Sequence, residues 1–144
     1  MTDGFEDIMQ DHRAVNRLLE QYEREADDGV AREACEELAL HVEAEEMVLY
    51  PHVRDGSADG DELAERAELE HASVAALIAR VFAAPPTDLS DVMAQITDQV
   101  RAHVQFEEAD LLPRLRQRVD GDVLSREFAE AKHTVQAKNG QPLA

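Results

Sequence analysis

The sequence predicts an all-α protein: an up-down-up-down four-helix bundle with a short C-terminal helix and tail. Three observations lead there. Hydrophobic residues make up 44% of the 144-residue chain, yet aromatics are only 4% and tryptophan is absent. A core of Leu, Val, Ala and Ile suits packed helices better than stacked sheets. The apolar positions recur at helical rather than alternating spacing. Breakers then divide the chain at Asp27-Asp28-Gly29, at 55–60 (Asp-Gly-Ser-Ala-Asp-Gly) and at 84–88 (Ala-Pro-Pro-Thr-Asp).

The first segment carries Phe5, Ile8, Met9, Val15, Leu18, Leu19 and Tyr22. The second carries Ala31, Ala34, Leu38, Val48 and Leu49, and the third Leu63, Ala67, Val74, Leu77, Ile78 and Val81. Asp59 or Asp61 is placed to cap the third helix. The fourth carries Val92, Met93, Ile96, Val100, Leu111 and Leu115, with Asp88 or Ser90-Asp91 as its cap. Short connections between long helices imply antiparallel neighbours. Residues 1–120 thus form the bundle domain. Residues 121–144 follow as a weaker amphipathic helix, Val123 to about Lys138, and a frayed tail.

Thirty-two acidic against fourteen basic residues give a formal charge of −18. Such a surface speaks against nucleic acid and anionic membranes as partners, since both require a basic face. Cys35 is the only cysteine, so no intrachain disulfide and no Cys-rich zinc site is expected. The acidic N-terminus has no signal-peptide order, and no apolar run approaches the ~20 residues that span a bilayer. A cytoplasmic setting is expected, with monomer and homodimer both open.

The two halves repeat each other. His41-Val42-Glu43-Ala44-Glu45-Glu46, then Tyr50-Pro51, is matched by His103-Val104-Gln105-Phe106-Glu107-Glu108, then Leu112-Pro113; upstream, Asp11-His12 corresponds to Glu70-His71. Six ionisable residues interrupt the apolar stripes: His12, His41, Glu45, His71, His103 and Glu107. Reflecting residue numbers about loop midpoints near 28.5, 57.5 and 86.5 places His12, Glu45, His71 and His103 within about one residue of a common depth, roughly 1.5 Å of rise. His41 and Glu107 lie one turn away on the same faces.

Six unpaired buried groups, at several kcal/mol each, would exhaust the ~5–15 kcal/mol of a domain's stability. A hydrogen-bonded network or bound metal relieves that cost. Four imidazoles and two carboxylates suffice for two cations sharing the carboxylates, and nitrogen and oxygen donors without thiolate suit iron, manganese or zinc. Glu46 and Glu108 stand ~100° round the helix, as flanking groups or extra ligands. Tyr50 lies two turns past His41, near the site. His52 and His133 have no counterpart in the repeat and are read as surface residues. A ferritin-like centre needs Glu-x-x-His on two helices, and only Glu68–His71 has it; His-Glu-x-x-His is absent.

The ordered set His12, His41-x-x-x-Glu45, His71, His103-x-x-x-Glu107, with Glu-Glu and Tyr-Pro or Leu-Pro after each pair, resembles the hemerythrin-like HHE cation-binding domain over about residues 5–118. The resemblance implies a non-haem di-iron centre, oxo- or hydroxo-bridged when oxidised. His12, His41, His71 and His103 would be its terminal ligands, and Glu45 and Glu107 its bridges. Oxygen-carrying hemerythrins are similar but have a further His where this chain has Ala75. They also set the last carboxylate five residues after its His, the position of Glu108 here. One iron therefore has a position open to water, an exogenous ligand, Tyr50, Glu46 or Glu108. The implied partners are dioxygen, peroxide or nitric oxide, with catalase-like peroxide breakdown the favoured chemistry if the protein is an enzyme. A non-catalytic oxygen, iron or redox sensor and a simple cation store are the alternatives.

Overall fold

A computed structural model describes residues 2–56, 58–83 and 88–138, all in helices or short turns. Helix α1 spans Gly4–Glu25, α2 Asp28–Asp55, α3 Gly60–Ala83 and α4 Leu89–Phe106. A single π-helical turn, Glu107–Leu111, leads into α5 (Leu112–Arg116), and α6 (Gly121–Lys138) closes the described chain. The expected tail at 139–144 and the Ala84–Thr87 breaker lie outside the described residues.

Local chemistry sets the boundaries. Asp3 accepts a hydrogen bond from the Phe5 N–H and starts α1. The helix ends on Ala26, whose φ of 50° is the left-handed stop that returns its N–H to the Tyr22 carbonyl. Asp27 immediately caps α2 through the Gly29 and Val30 N–H groups. Asp88 holds the equivalent place before α4 but makes no capping bond. Its carboxylate accepts from Arg80 instead, 2.6 Å away.

Cross-helix contacts show how the chain doubles back. Arg54 meets Glu68 while His71 meets Glu46, so numbers rise on α3 as they fall on α2. Likewise Arg80 pairs with Asp88, Ser73 with Gln99, and Glu70 with His103 across α3 and α4. Glu23–Arg101 and His12–Glu108 link α1 to the fourth helix and its π turn in the same descending order.

Two apolar clusters fill the bundle. One packs Val15, Leu19, Ala34, Leu38, Val74, Val81, Ile96 and Val100. The other packs Phe5, Ile8, Leu49, Tyr50, Ala67, Phe106 and Leu111, with Leu124 and Phe128 of α6. Each fully buried Leu or Ile contributes ~1.5–3 kcal/mol, and these layers clamp the polar one between them. Helix α6 is more firmly placed than its sequence pattern indicates. Leu124, Phe128, Ala131 and Val135 are buried. The Ser125 hydroxyl donates to Asp7 at 2.5 Å, and His52 meets Glu127 at 3.0 Å, giving that histidine a tie to α6. Helices α1 and α6 approach so closely that a Cβ on Gly4 would fall 2.5 Å from the Ser125 backbone nitrogen. No helix among the described residues is long and apolar enough to cross a membrane.

Candidate metal centre

His12, His41, Glu45, His71, His103 and Glu107 all converge between the two apolar layers, and all are buried. Both carboxylates are 0% exposed. Two overlapping four-residue sets result: His12, His41, Glu45 and Glu107, and Glu45, His71, His103 and Glu107. Within each set one nitrogen or oxygen per residue lies inside 4.8 Å of the others. Glu45 and Glu107 belong to both.

All four of these histidines present Nε2 inward. His41 Nε2 stands 3.1 Å from Glu45 Oε2, and His12 Nε2 3.0 Å from Glu107 Oε1. His103 Nε2 lies 3.0 Å from Glu107 Oε2, and His71 Nε2 3.4 Å from Glu45 Oε1. His41–Glu45 and His103–Glu107 are helical neighbours four apart, so one turn of backbone aligns each pair.

Each outward Nδ1 meets a carboxylate from a different part of the chain. Asp11 of α1 holds His41 of α2 at 3.0 Å. Glu46 of α2 holds His71 of α3 at 3.2 Å, and Glu70 of α3 holds His103 of α4 at 2.6 Å. Glu108 in the π turn closes the circuit on His12 at 2.6 Å. An outer carboxylate on Nδ1 fixes which nitrogen carries the proton and leaves Nε2 free to donate a lone pair. Glu46 and Glu108 therefore act as braces on imidazoles, each partly open to solvent. The repeat identified Asp11 and Glu70 but set them beside His12 and His71; each serves the next helix instead, because adjacent residues face ~100° apart.

Tyr50 is the asymmetric member. Its hydroxyl donates to Glu107 Oε2 at 2.8 Å and lies 3.0 Å from His71 Nε2 and 3.3 Å from His103 Nε2. Burial, with Glu45 and Glu107 close by, pushes the phenol well above its usual range.

The buried imidazoles and carboxylates set one another's ionisation. Burial alone would lower the imidazole pKa values, but Glu107 and Glu45 raise His12 to about 11. Against the same burial, Glu45 and Asp11 raise His41 to about 9, and Glu107, Glu45 and Glu70 raise His103 to about 9. Burial would also raise the Glu45 carboxyl, yet His41, Glu107 and His12 hold it well below the carboxylate range. Even so, His12 Nε2, His41 Nε2, Glu45 Oε2 and Glu107 Oε1 have no hydrogen-bond partner among the described residues. Two ring nitrogens and two carboxylate oxygens buried without a hydrogen bond, within reach of one another, are costly, and a cation between them would remove that cost. The set fits metal ions with nitrogen and oxygen preference.

A cavity of about 20 Å³ opens on the face of this layer away from Tyr50, walled by Val15, Leu38, Val74, Val100 and Val104. That is room for about one water-sized molecule.

Comparison with known proteins agrees with the geometry. The model of the Hemerythrin HHE cation binding domain matches residues 3–115. A curated relative, a DNA nickase from Nostoc sp. (strain PCC 7120 / SAG 25.82 / UTEX 2576), is 31% identical over 92% of this chain. The chain spans only 40% of that relative's length. No solved structure matches.

Proposed function

Starting from the hemerythrin HHE cation-binding domain family, to which this chain belongs, we propose that it holds two iron ions and reacts with a small oxygen or nitrogen species. The observation that carries this reading is the sharing of Glu45 and Glu107 between two otherwise separate histidine pairs. His12 and His41 would hold one ion, His71 and His103 the other, with the two glutamates common to both. Tyr50 would add a phenol to the second position, in place of the imidazole that Ala75 cannot provide. Bound iron supplies redox chemistry toward dioxygen, peroxide or nitric oxide.

The chain's own part is selection and protection. The valine-walled cavity, about the size of a water molecule, favours a very small ligand and excludes bulky reductants and substrates. The apolar layers on either side keep bulk water from the centre. Peroxide disproportionation, two hydrogen peroxide molecules giving two waters and one dioxygen, needs no second substrate and is the favoured activity. The nickase name borne by the relative gains no support as an activity of this chain. The buried carboxylates and the formal charge of −18 favour a small ligand over a duplex phosphate.

Metal analysis of the freshly purified protein, paired with an oxygen-electrode assay on added peroxide, tests the proposal. Two irons per chain and dioxygen evolution are expected. Iron without turnover, but with a large melting shift on reduction, transfers the reading to a sensor. Zinc or manganese with no redox response transfers it to cation storage.

A further inference from the structure

The two histidine pairs are supported differently, and the difference assigns a task to α6. In the second half, His103 packs beside Phe106, with ring centroids 6.3 Å apart, and the Arg66 guanidinium covers that phenyl at 3.8 Å. Arg66 also binds Glu70, the carboxylate on His103, through a 3.3 Å contact. Arginine, phenylalanine and carboxylate all come from α3 and α4. The corresponding places in the first half are Asp7 and Ala44, which offer neither cation nor ring. Helix α6 fills them. Phe128 stands edge-on to His41 at 5.8 Å, and the Lys132 ammonium lies 5.6 Å from that phenyl. Lys132 also binds both oxygens of Asp11, at 3.0 and 2.9 Å, and Asp11 holds His41. Ala44 is fully buried, and Asp7 takes the Ser125 hydroxyl of α6.

We propose that Lys132 is a positioning residue for the His12–His41 metal position, acting through Asp11, and that Lys132 and Phe128 of α6 complete this half of the centre as Arg66 and Phe106 complete the other. The inference rests on the two-ion reading above. Without Lys132, a partly buried Asp11 keeps only the single His41 N–H; with metal on Nε2 that ring is neutral and the carboxylate turns to solvent. Loss of such an outer brace costs about 10–100-fold in metal affinity.

The test is a cobalt(II) titration of the full, chelator-stripped chain, followed by visible absorption, with helicity checked by circular dichroism. Wild type should take up two equivalents. Lys132→Met should weaken one equivalent about tenfold and spare the other, and Lys132→Arg should restore it. Arg66→Met should weaken the opposite equivalent. Asp11→Ala should weaken the same one as Lys132→Met, and the double variant should bind no worse than Asp11→Ala, because the two act in series. Two equivalents in Lys132→Met bound as in wild type, or both weakened alike, would overturn this inference alone. Wild type that takes up no cobalt overturns both it and the two-ion reading.

Discussion

The two repeated segments, 41–53 and 103–115, bury the same positions. Residues 41, 44, 45, 49, 50 and 53 are buried in one, and 103, 106, 107, 111, 112 and 115 in the other. Their backbones differ: α2 runs through Pro51 unbroken, whereas the second segment passes through a π turn ahead of Pro113. The Leu112 N–H reaches back five residues to the Glu107 carbonyl, and the burial register survives. Three buried positions then separate the halves, Ala44 against Phe106, Tyr50 against Leu112 and, as a small change of size, Val53 against Leu115. The comparison teaches that a duplicated set of histidines and glutamates does not make equivalent surroundings. What surrounds the repeated residues decides which half holds a phenol and which takes a helix from outside the repeat.

Removing a shared group should abolish the difference between halves altogether. Glu107→Ala or Glu45→Ala is expected to lose both ions, seen as under 0.2 iron per chain by elemental analysis, roughly the effect of deleting a ligand common to two sites. His12→Ala and His71→Ala should each retain one ion and so report the halves separately. Tyr50→Phe sharpens the contrast further. The ferric protein should lose a visible phenolate-to-iron absorption while the His12–His41 position keeps its affinity, whereas an unchanged spectrum would show that the phenol only hydrogen-bonds.

Proton competition gives the next effect. His12, His41 and His103 have folded-state pKa values raised to about 11, 9 and 9 in the metal-free protein. Their contribution to stability is complete below the unfolded value of about 6.5 and is lost as pH rises through about 9 to 11. Glu45, with a lowered value, contributes above about 4.5 and loses its contribution as pH falls through its folded pKa. Metal-free protein should therefore melt highest between about pH 4.5 and 6.5. Metal affinity should run the other way, rising with pH as the imidazole protons leave. Melting curves and zinc titrations at several pH values check both slopes. The smallest contrast is at the helix starts. Asp27→Ala should cost about 1 kcal/mol for its lost cap, and Asp88→Ala under about 0.5 kcal/mol for an exposed ion pair, measured by urea unfolding.

Depth and spacing made the six inward residues legible in the sequence. A helix rises by a fixed amount per residue, so reflecting numbers about the loops brings His12, Glu45, His71 and His103 to one level, where the structure has them. Tyr50 was legible as a neighbour of the site for the same reason. Partners reached across helices were not. Asp11 adjoins His12 in sequence but serves His41, since adjacency along a helix separates side chains around its axis. The work of α6 was hidden more deeply: Lys132 and Phe128 have no counterpart spacing, and only the bare Ala44 hinted at a missing ring.

The outer carboxylates run α1 to α2, α2 to α3, α3 to α4, and from the π turn back to α1. Such a closed loop behaves like the hoop of a cask. No stave can slide along its neighbour without parting a joint, so amide exchange throughout the four staves should slow together when the ions enter, as one cooperative body.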